Sequence, residues 1–319
     1  MEVRIFDKNH IQAIIGDDIA LVKEIVRGAL QLHYEKTYVQ PAKQYVRRPE
    51  EPHIADRIIS MPVAIGGADP VSGIKWIGSK RANTAIGLHR ASAVIVLNNP
   101  ETNYPCAILD GSLISALRTV AVSLIAIDRL RPNATSVAII GMGRLGTLHA
   151  ELISKHYPGI RTIQCYSTRE NFDAVLSLRG VKKSATLAAA INGAEIVITT
   201  TTAEHPYIGL GDIGDEKIMI NLSLMDFGLD VYQNSDIIVD DLMQCKTAKK
   251  VFREGVDSGK IDPAQVYELS DILFGTGKTR QFSKRIIVNP IGMALEDIWM
   301  AWTIYKKLQN AGLPEFEVE

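Results

Sequence analysis

The sequence predicts an α/β protein built in two parts, and three observations carry that prediction. Residues 136–147, SVAIIGMGRLGT, run from a buried apolar strand through a turn with Gly141, Gly143 and Gly146 into a helix. After this stretch, continuous apolar runs alternate with helical segments, the pattern of a parallel sheet covered on both faces. Before it the texture differs: short apolar runs are separated by turn-forming clusters such as GGADP, RANT and NNPETNYP. That punctuation suggests an antiparallel meander. A chain of 319 residues is long enough for two domains.

Taken in order, residues 18–36 place Ile19, Val22, Ile25, Val26 and Leu30 at helical spacing. RIISMPVAI, VSGIKWIG and SAVIVLN are strands of the meander. GSLISALRTVAVSLIAIDRL returns to helical spacing with Ser112 as its expected N-cap, and RPNAT reads as a linker. SVAII is then a buried strand, RLGTLHAELISKHY an amphipathic helix and IRTIQCY a second strand. SATLAAAING is a helix expected to start at Ser184. AEIVITTTT, KIMINLSL and SDIIVDD supply further buried strands, and PIGMALEDIWMAWTIYKKLQ forms a last helix.

Bulk properties narrow the function. Formal net charge is −1, with no long block of one sign, so nucleic acid and anionic membrane are poor partners. No run of about 18 apolar residues exists to span a bilayer. The first residues, MEVRIFDKNH, contain no apolar segment, and no signal peptide is expected. Cys106, Cys165 and Cys245 are far apart and form no CxxC, which suits reduced thiols in a cytoplasmic protein and no metal site.

The glycine-rich stretch carries the clearest chemistry. Gly141 permits a tight turn, Gly143 lets backbone approach a pyrophosphate, and Gly146 lets the helix pack on its strand. Arg144 and Leu145 open that helix, whose N-terminus offers free N–H groups and a positive dipole end to phosphates. The glycines follow a strand and open a helix within a βαβ unit, the context that identifies a Rossmann dinucleotide-binding domain. A glycine-rich turn in an unliganded α/β domain is the alternative. A ligand is expected in the cleft between such a domain and the sheet-rich part before it.

Cofactor choice is set at the end of the second strand. There Tyr166 is followed by Ser167, Thr168 and Arg169, with no carboxylate until Glu170. Two hydroxyls and a guanidinium suit the 2′-phosphate of NADP. In the alternative, Arg169 is solvated and NAD binds through Ser167.

Carboxylate substrates are held by arginine forks or lysine, and Arg47, Lys75 and Arg118 are the candidates. Lys75 lies among Ile74, Trp76 and Ile77, where a lysine either faces a polar cleft or snorkels to water. Arg118 lies in the apolar stretch ISALRTVAVS and needs a partner, a substrate or an internal ion pair. Asp226 follows the strand KIMINLSL, at the strand end where open α/β sheets bind ligands. It is a candidate proton shuttle, with helix capping as the alternative. His53, beside a proline, is either catalytic or structural.

At these residues the chain resembles the ornithine cyclodeaminase/mu-crystallin superfamily. The shared features are VQP at 39–41, the lysine of GIKWIG, NTAIGL at 83–88, YP at 104–105, LRTVAVS at 117–123, GMGRLG and Asp226. Within it, HIADRIISMP, SGIKWIGSK and NNPETNYP resemble the N-(2-amino-2-carboxyethyl)-L-glutamate dehydrogenases, which make L-2,3-diaminopropionate for siderophores and antibiotics beside a cysteine-synthase-like partner. The resemblance implies a substrate-binding and dimerisation domain at 1–112, completed by the C-terminal helix within 290–319, and a Rossmann domain at 113–289. It implies a homodimer, with NAD or NADP as cofactor. It also implies roles. Lys75 and Arg118 bind a substrate carboxylate, Arg47 binds one further out, Asp226 handles protons and water, and Thr84 lies near the cofactor phosphates. The dehydrogenases it resembles have an aspartate after the tyrosine and use NAD, so Ser167 departs from them. Cyclodeamination, reduction of a ketimine or 2-oxo acid, and non-catalytic NADP binding of the crystallin kind are the competing functions.

Overall fold

The structure, a computed structural model, describes all residues except 1, 51–52, 54, 169–171, 224, 248–250, 277–280, 309–314 and 318–319. It divides into two compact units, Met1–Val122 with Gly292–Glu319, and Ser123–Ile291. In chain order the first elements are β1 (Glu2–Phe6), α1 (Lys8–Ile15), α2 (Ile19–Glu35), β2 (Tyr38–Val39), β3 (Gln44–Val46), β4 (Arg57–Ile65), β5 (Val71–Ser79), β6 (Ala91–Asn98), β7 (Pro105–Asp110) and α3 (Gly111–Leu130). The division between the units falls inside α3. There follow β8 (Ser136–Ile140), α4 (Arg144–His156), β9 (Thr162–Tyr166), β10 (Val181–Lys183), α5 (Leu187–Asn192), β11 (Ile196–Thr199), α6 (Leu210–Ile213) and β12 (Lys217–Asn221). The remainder are α7 (Leu229–Gln233), β13 (Asp236–Val239), α8 (Leu242–Thr247), α9 (Val251–Asp257), β14 (Val266–Glu268), α10 (Leu269–Phe274), β15 (Arg285–Val288), α11 (Ala294–Leu308) and β16 (Glu315–Glu317).

The sheet of the first unit runs β16-β1-β7-β6-β5-β4-β2, with β3 also on β4. Strands β4 to β7 form the expected antiparallel meander. Strand β1 breaks the pattern, pairing parallel with β7. Alternation decides which face is inside. Met61, Val63, Val71, Lys75, Ile95, Leu97 and Leu109 are buried, and α11 packs on β4, β5 and β6. The other face carries a cross-strand row, Pro62, Ile74, Val96 and Ile108, aligned by register. Beside it Trp76 and Val94 pair with each other and remain 44% and 45% exposed.

The second unit is a sheet of order β10-β9-β8-β11-β12-β15-β13-β14, and every pairing in it is parallel. Strands β11 and β12 are buried along their whole length, which is why they read as unbroken apolar runs. The strand order reverses between β8 and β11. That crevice, at the carboxyl ends of the strands, is the ligand-binding position of such sheets.

Two caps differ from expectation. The amides of Ser112 and Leu113 are accepted by Asp110, one residue ahead of α3. Ser112 instead turns its hydroxyl to the Ala93 amide, 2.8 Å away. Helix α5 is capped by Thr186, which accepts from the Ala189 amide at 3.1 Å. Ser184 donates to Gln164 across β9 and so belongs to the sheet. RPNAT joins α3 to β8 within one unit. All three cysteines are free and buried. No helix among the described residues is long and apolar enough to cross a membrane.

Candidate active site

In the second unit the loop after β8 is shaped by its glycines. Gly141 has φ +95°, a left-handed conformation that disfavours side chains. Its carbonyl accepts a hydrogen bond from the Thr200 hydroxyl at 2.6 Å. A Cβ on Gly146 would lie 2.0 Å from that same carbonyl, so glycine there is a packing requirement. Gly143 differs: a Cβ there would meet nothing within 4 Å. It stands at the N-cap of α4, and no side chain caps the helix. The first amides of Arg144, Leu145 and Gly146 therefore have no capping side chain among the described residues and lie at a positive helix end, which fits a dinucleotide pyrophosphate. Tyr166 pairs with Ile140, placing Ser167 and Thr168 beside the loop at the end of β9. Arg169 lies outside the described residues.

Further along the same strand ends sits Asp226, completely buried. Its Oδ1 accepts the Thr201 hydroxyl at 2.5 Å. Its Oδ2 finds no hydrogen-bond partner among the described residues. Burial pushes its carboxyl above the usual carboxylate range, and the Ser223, Thr201 and Thr199 hydroxyls only partly oppose that. It caps no helix among the described residues, because the N-cap of α7 is Gly228. A buried polar network missed in the sequence lies at neighbouring strand ends. Asn221 bonds Thr199, the Tyr232 hydroxyl and Asn289, at 3.1, 2.8 and 2.9 Å. The signal was the polar residue closing each apolar strand, as in IVIT, IMIN and IIVN.

In the first unit Lys75 and Arg118 come together through two carboxylates of α11. Lys75, on β5, is 1% exposed, so it does not snorkel. Its ammonium donates to Asp297 and to Ser115. Arg118 donates through Nε to the other Asp297 oxygen at 3.1 Å and through Nη1 to Glu296 at 3.0 Å. Both carboxylates are fully buried. Burial brings the Lys75 ammonium down to about 8, against the pull of Asp297. Burial alone raises the Asp297 carboxyl, but Arg118 and Lys75 overcome it and hold it below the usual range. Gln40, from the VQP stretch, accepts the Leu295 amide at 2.9 Å and ties down the start of the helix.

The remaining candidates stand apart from this cluster. Arg47 is exposed just past β3, 5.9 Å from the Tyr45 ring. Thr84 is exposed on a 3₁₀ turn, Arg81–Ile86, where its hydroxyl donates to the Arg81 carbonyl. His53 is buried and accepts the Ala55 amide through Nδ1 at 2.9 Å, in keeping with a structural role.

The chain is similar to known proteins along nearly its whole length. Residues 18–312 match the ornithine cyclodeaminase/mu-crystallin family. The N-((2S)-2-amino-2-carboxyethyl)-L-glutamate dehydrogenase of Staphylococcus aureus is 35% identical over 98% of this chain and 97% of its own. The Δ(1)-pyrroline-2-carboxylate reductase of Thermococcus litoralis, solved with NADH and L-proline, superposes with TM-score 0.87 at 22% identity, covering 99% of this chain and 100% of that one. An archaeal alanine dehydrogenase dimer with bound NAD superposes with TM-score 0.85 at 21% identity, over 100% of both chains. The fold and loop define a dinucleotide-dependent oxidoreductase. The chain belongs to the ornithine cyclodeaminase/mu-crystallin family, whose cofactor is NAD or NADP.

Proposed function

We propose that the protein oxidises N-(2-amino-2-carboxyethyl)-L-glutamate and hydrolyses the resulting imine to L-2,3-diaminopropionate and 2-oxoglutarate. The observation that carries this reading is the full-length likeness to the Staphylococcus aureus dehydrogenase. The domain roles follow it: the first unit, Met1–Val122 with Gly292–Glu319 and so ten residues longer at its boundary than the sequence suggests, binds substrate, and Ser123–Ile291 binds the cofactor. Lys75 and Arg118 hold a substrate carboxylate, and Arg47 and Thr84 serve an outer carboxylate and the cofactor phosphates.

When bound, the nicotinamide supplies a hydride acceptor for the glutamate α-carbon. Oxidation there leaves a C=N bond. Asp226 takes a proton from water as it adds to the imine carbon. The same carboxyl returns the proton to the nitrogen as the carbinolamine C–N bond breaks. Its buried, raised carboxyl suits a group that must exist in both forms. Holding the carbon in place and excluding bulk water supply the rest of the acceleration.

A homodimer belongs to the same reading. The open row Pro62, Ile74, Val96 and Ile108, with Trp76 and Val94, is an apolar surface suited to a second copy. Sedimentation equilibrium is expected to give twice 35.1 kDa. The substrate requires an upstream enzyme of the cysteine-synthase-like kind, working in the cytoplasm. The test of the reaction is incubation with NAD or NADP and a panel of the secondary amine, L-ornithine, L-alanine and L-proline. Reduced nicotinamide is read by absorbance and products by mass spectrometry. Both named products are expected from the secondary amine. Turnover of ornithine alone overturns the proposal.

A further inference from the structure

Lys75 occupies a position that the sheet would otherwise fill with an apolar side chain. It is in register between Met61 and Ile95, both buried. Arg118 is in a similar situation on α3, with Leu117 and Val120 buried beside it. Paired charges at this depth are not the most stabilising way to fix a helix to a sheet, since well-packed apolar residues are often as good or better. The arrangement is also specific. One carboxylate, Asp297, splits its two oxygens between the two cations, and Glu296 takes a separate nitrogen of Arg118.

We propose that Asp297 is a positioning residue for substrate recognition. Its carboxylate fixes the Lys75 ammonium and the Arg118 guanidinium in one arrangement, and Glu296 holds Arg118 from a second side, so that a substrate carboxylate meets both cations at set positions. This rests on the reading that Lys75 and Arg118 bind substrate. The titratable groups acting on Lys75 are Asp297, Arg118 and Glu296. Removing the Asp297 charge leaves burial and Arg118 pushing toward the neutral amine, with Glu296 the weaker opposing charge. A neutral Lys75 is a weaker partner for a carboxylate, so Asp297 governs charge as well as place.

The test uses Asp297→Asn in the full-length protein. Its kcat/KM is expected to fall increasingly as pH rises through the lowered Lys75 value. Each unit by which that value drops costs about tenfold on the alkaline side, while cofactor affinity is unchanged. A loss uniform across pH overturns the proposal. A second readout needs no substrate: ¹³C NMR of protein carrying ¹³Cε-lysine, with the Lys75 signal assigned from Lys75→Arg. It is expected to titrate near 8 in the wild type and lower in Asp297→Asn. An unchanged titration overturns the proposal. If Asp297→Asn fails to fold, Asp297→Glu replaces it. That variant is expected to keep the Lys75 titration but raise KM, and wild-type kinetics overturn the positioning role. The NMR result is independent of which amine is oxidised. A wild type active only on ornithine removes the proposed reaction and leaves the Asp297 test standing.

Discussion

Lys75, Arg118, Glu296 and Asp297 are buried together, two cations against two carboxylates: Asp297 accepts from both cations and Glu296 from Arg118. Asp226 is equally buried, yet among the described residues its side chain is met by hydroxyls and by no cation. The first arrangement holds its charges in place: Arg118 and Lys75 keep the Asp297 carboxyl below the usual range, while burial brings Lys75 down to about 8. The second leaves a carboxyl that gains and loses a proton easily. One is suited to holding charged groups still, the other to passing a proton.

The comparison breaks most completely at Lys75. Lys75→Ala takes one cation from the quartet and leaves Asp297 with Arg118 alone. Breaking a buried pair costs about 3–5 kcal/mol in the unfavourable case, so melting temperature is expected to fall. Turnover is expected to be abolished while cofactor affinity is kept. Calorimetry and cofactor titration together check this. Loss of cofactor affinity with a normal saturated rate would sink the assignment.

Asp226→Asn sharpens the other side. Turnover is expected to fall by roughly 10²-fold or more. Stability moves the opposite way. The folded carboxyl titrates above its unfolded value, so the native state binds the extra proton between the two values. Wild-type stability therefore falls as pH rises from about 3.9 through the folded value, and the penalty persists above it. An asparagine carries no such penalty. The melting advantage of Asp226→Asn over the wild type is expected to grow as pH rises from ~4 and to level off above the raised folded value. Turnover near that of the wild type across pH rules Asp226 out as the proton carrier.

The dinucleotide loop offers a contrast on a smaller scale. Gly146→Ala places a methyl 2.0 Å from the Gly141 carbonyl. The helix must shift, and lower melting temperature is expected along with lost binding. Gly143→Ala meets nothing in the chain. It is expected to melt like the wild type and still bind NAD or NADP about tenfold or more weakly. Equal cofactor affinity in Gly143→Ala would mean that the pyrophosphate does not approach there.

What was legible in the sequence follows the range of the forces involved. Strands β4, β8 and β12 were readable because each is an apolar run closed by turn residues, a signal contained in a few positions. Helix α3 was bounded correctly, but its cap was assigned to Ser112 when Asp110 does the work, since both residue types are common caps and the sequence alone does not show that the Ser112 hydroxyl is taken by Ala93. Strand β15 was passed over because RIIV is short and sits between polar stretches. Lys75 and Arg118 stood out as charges in apolar surroundings. Their partners did not: Glu296 and Asp297 look like ordinary first-turn acids of a helix, and Asp297 lies 222 residues from Lys75. Only the sheet and α11 bring them together.

The smallest effect expected is on cofactor choice. Ser167 and Thr168 close β9 beside the phosphate loop, and Arg169 follows them in sequence. The position that carries a ribose-binding carboxylate in NAD-preferring domains is therefore held by a hydroxyl. A hydroxyl does not repel a 2′-phosphate, and a guanidinium next to it attracts one. A charge-assisted bond is worth about 1.5–3 kcal/mol, or roughly 10- to 150-fold in affinity. NADP is thus expected to bind at least as well as NAD. Arg169→Ala should weaken NADP by about tenfold and leave NAD unchanged, since NAD has no phosphate at that position. Ser167→Asp should reverse the order by adding the missing carboxylate. Titrating both cofactors against the three proteins decides it. Tighter NAD binding by the wild type, with Arg169→Ala identical to it, would show that Ser167 alone serves the ribose and that the guanidinium takes no part.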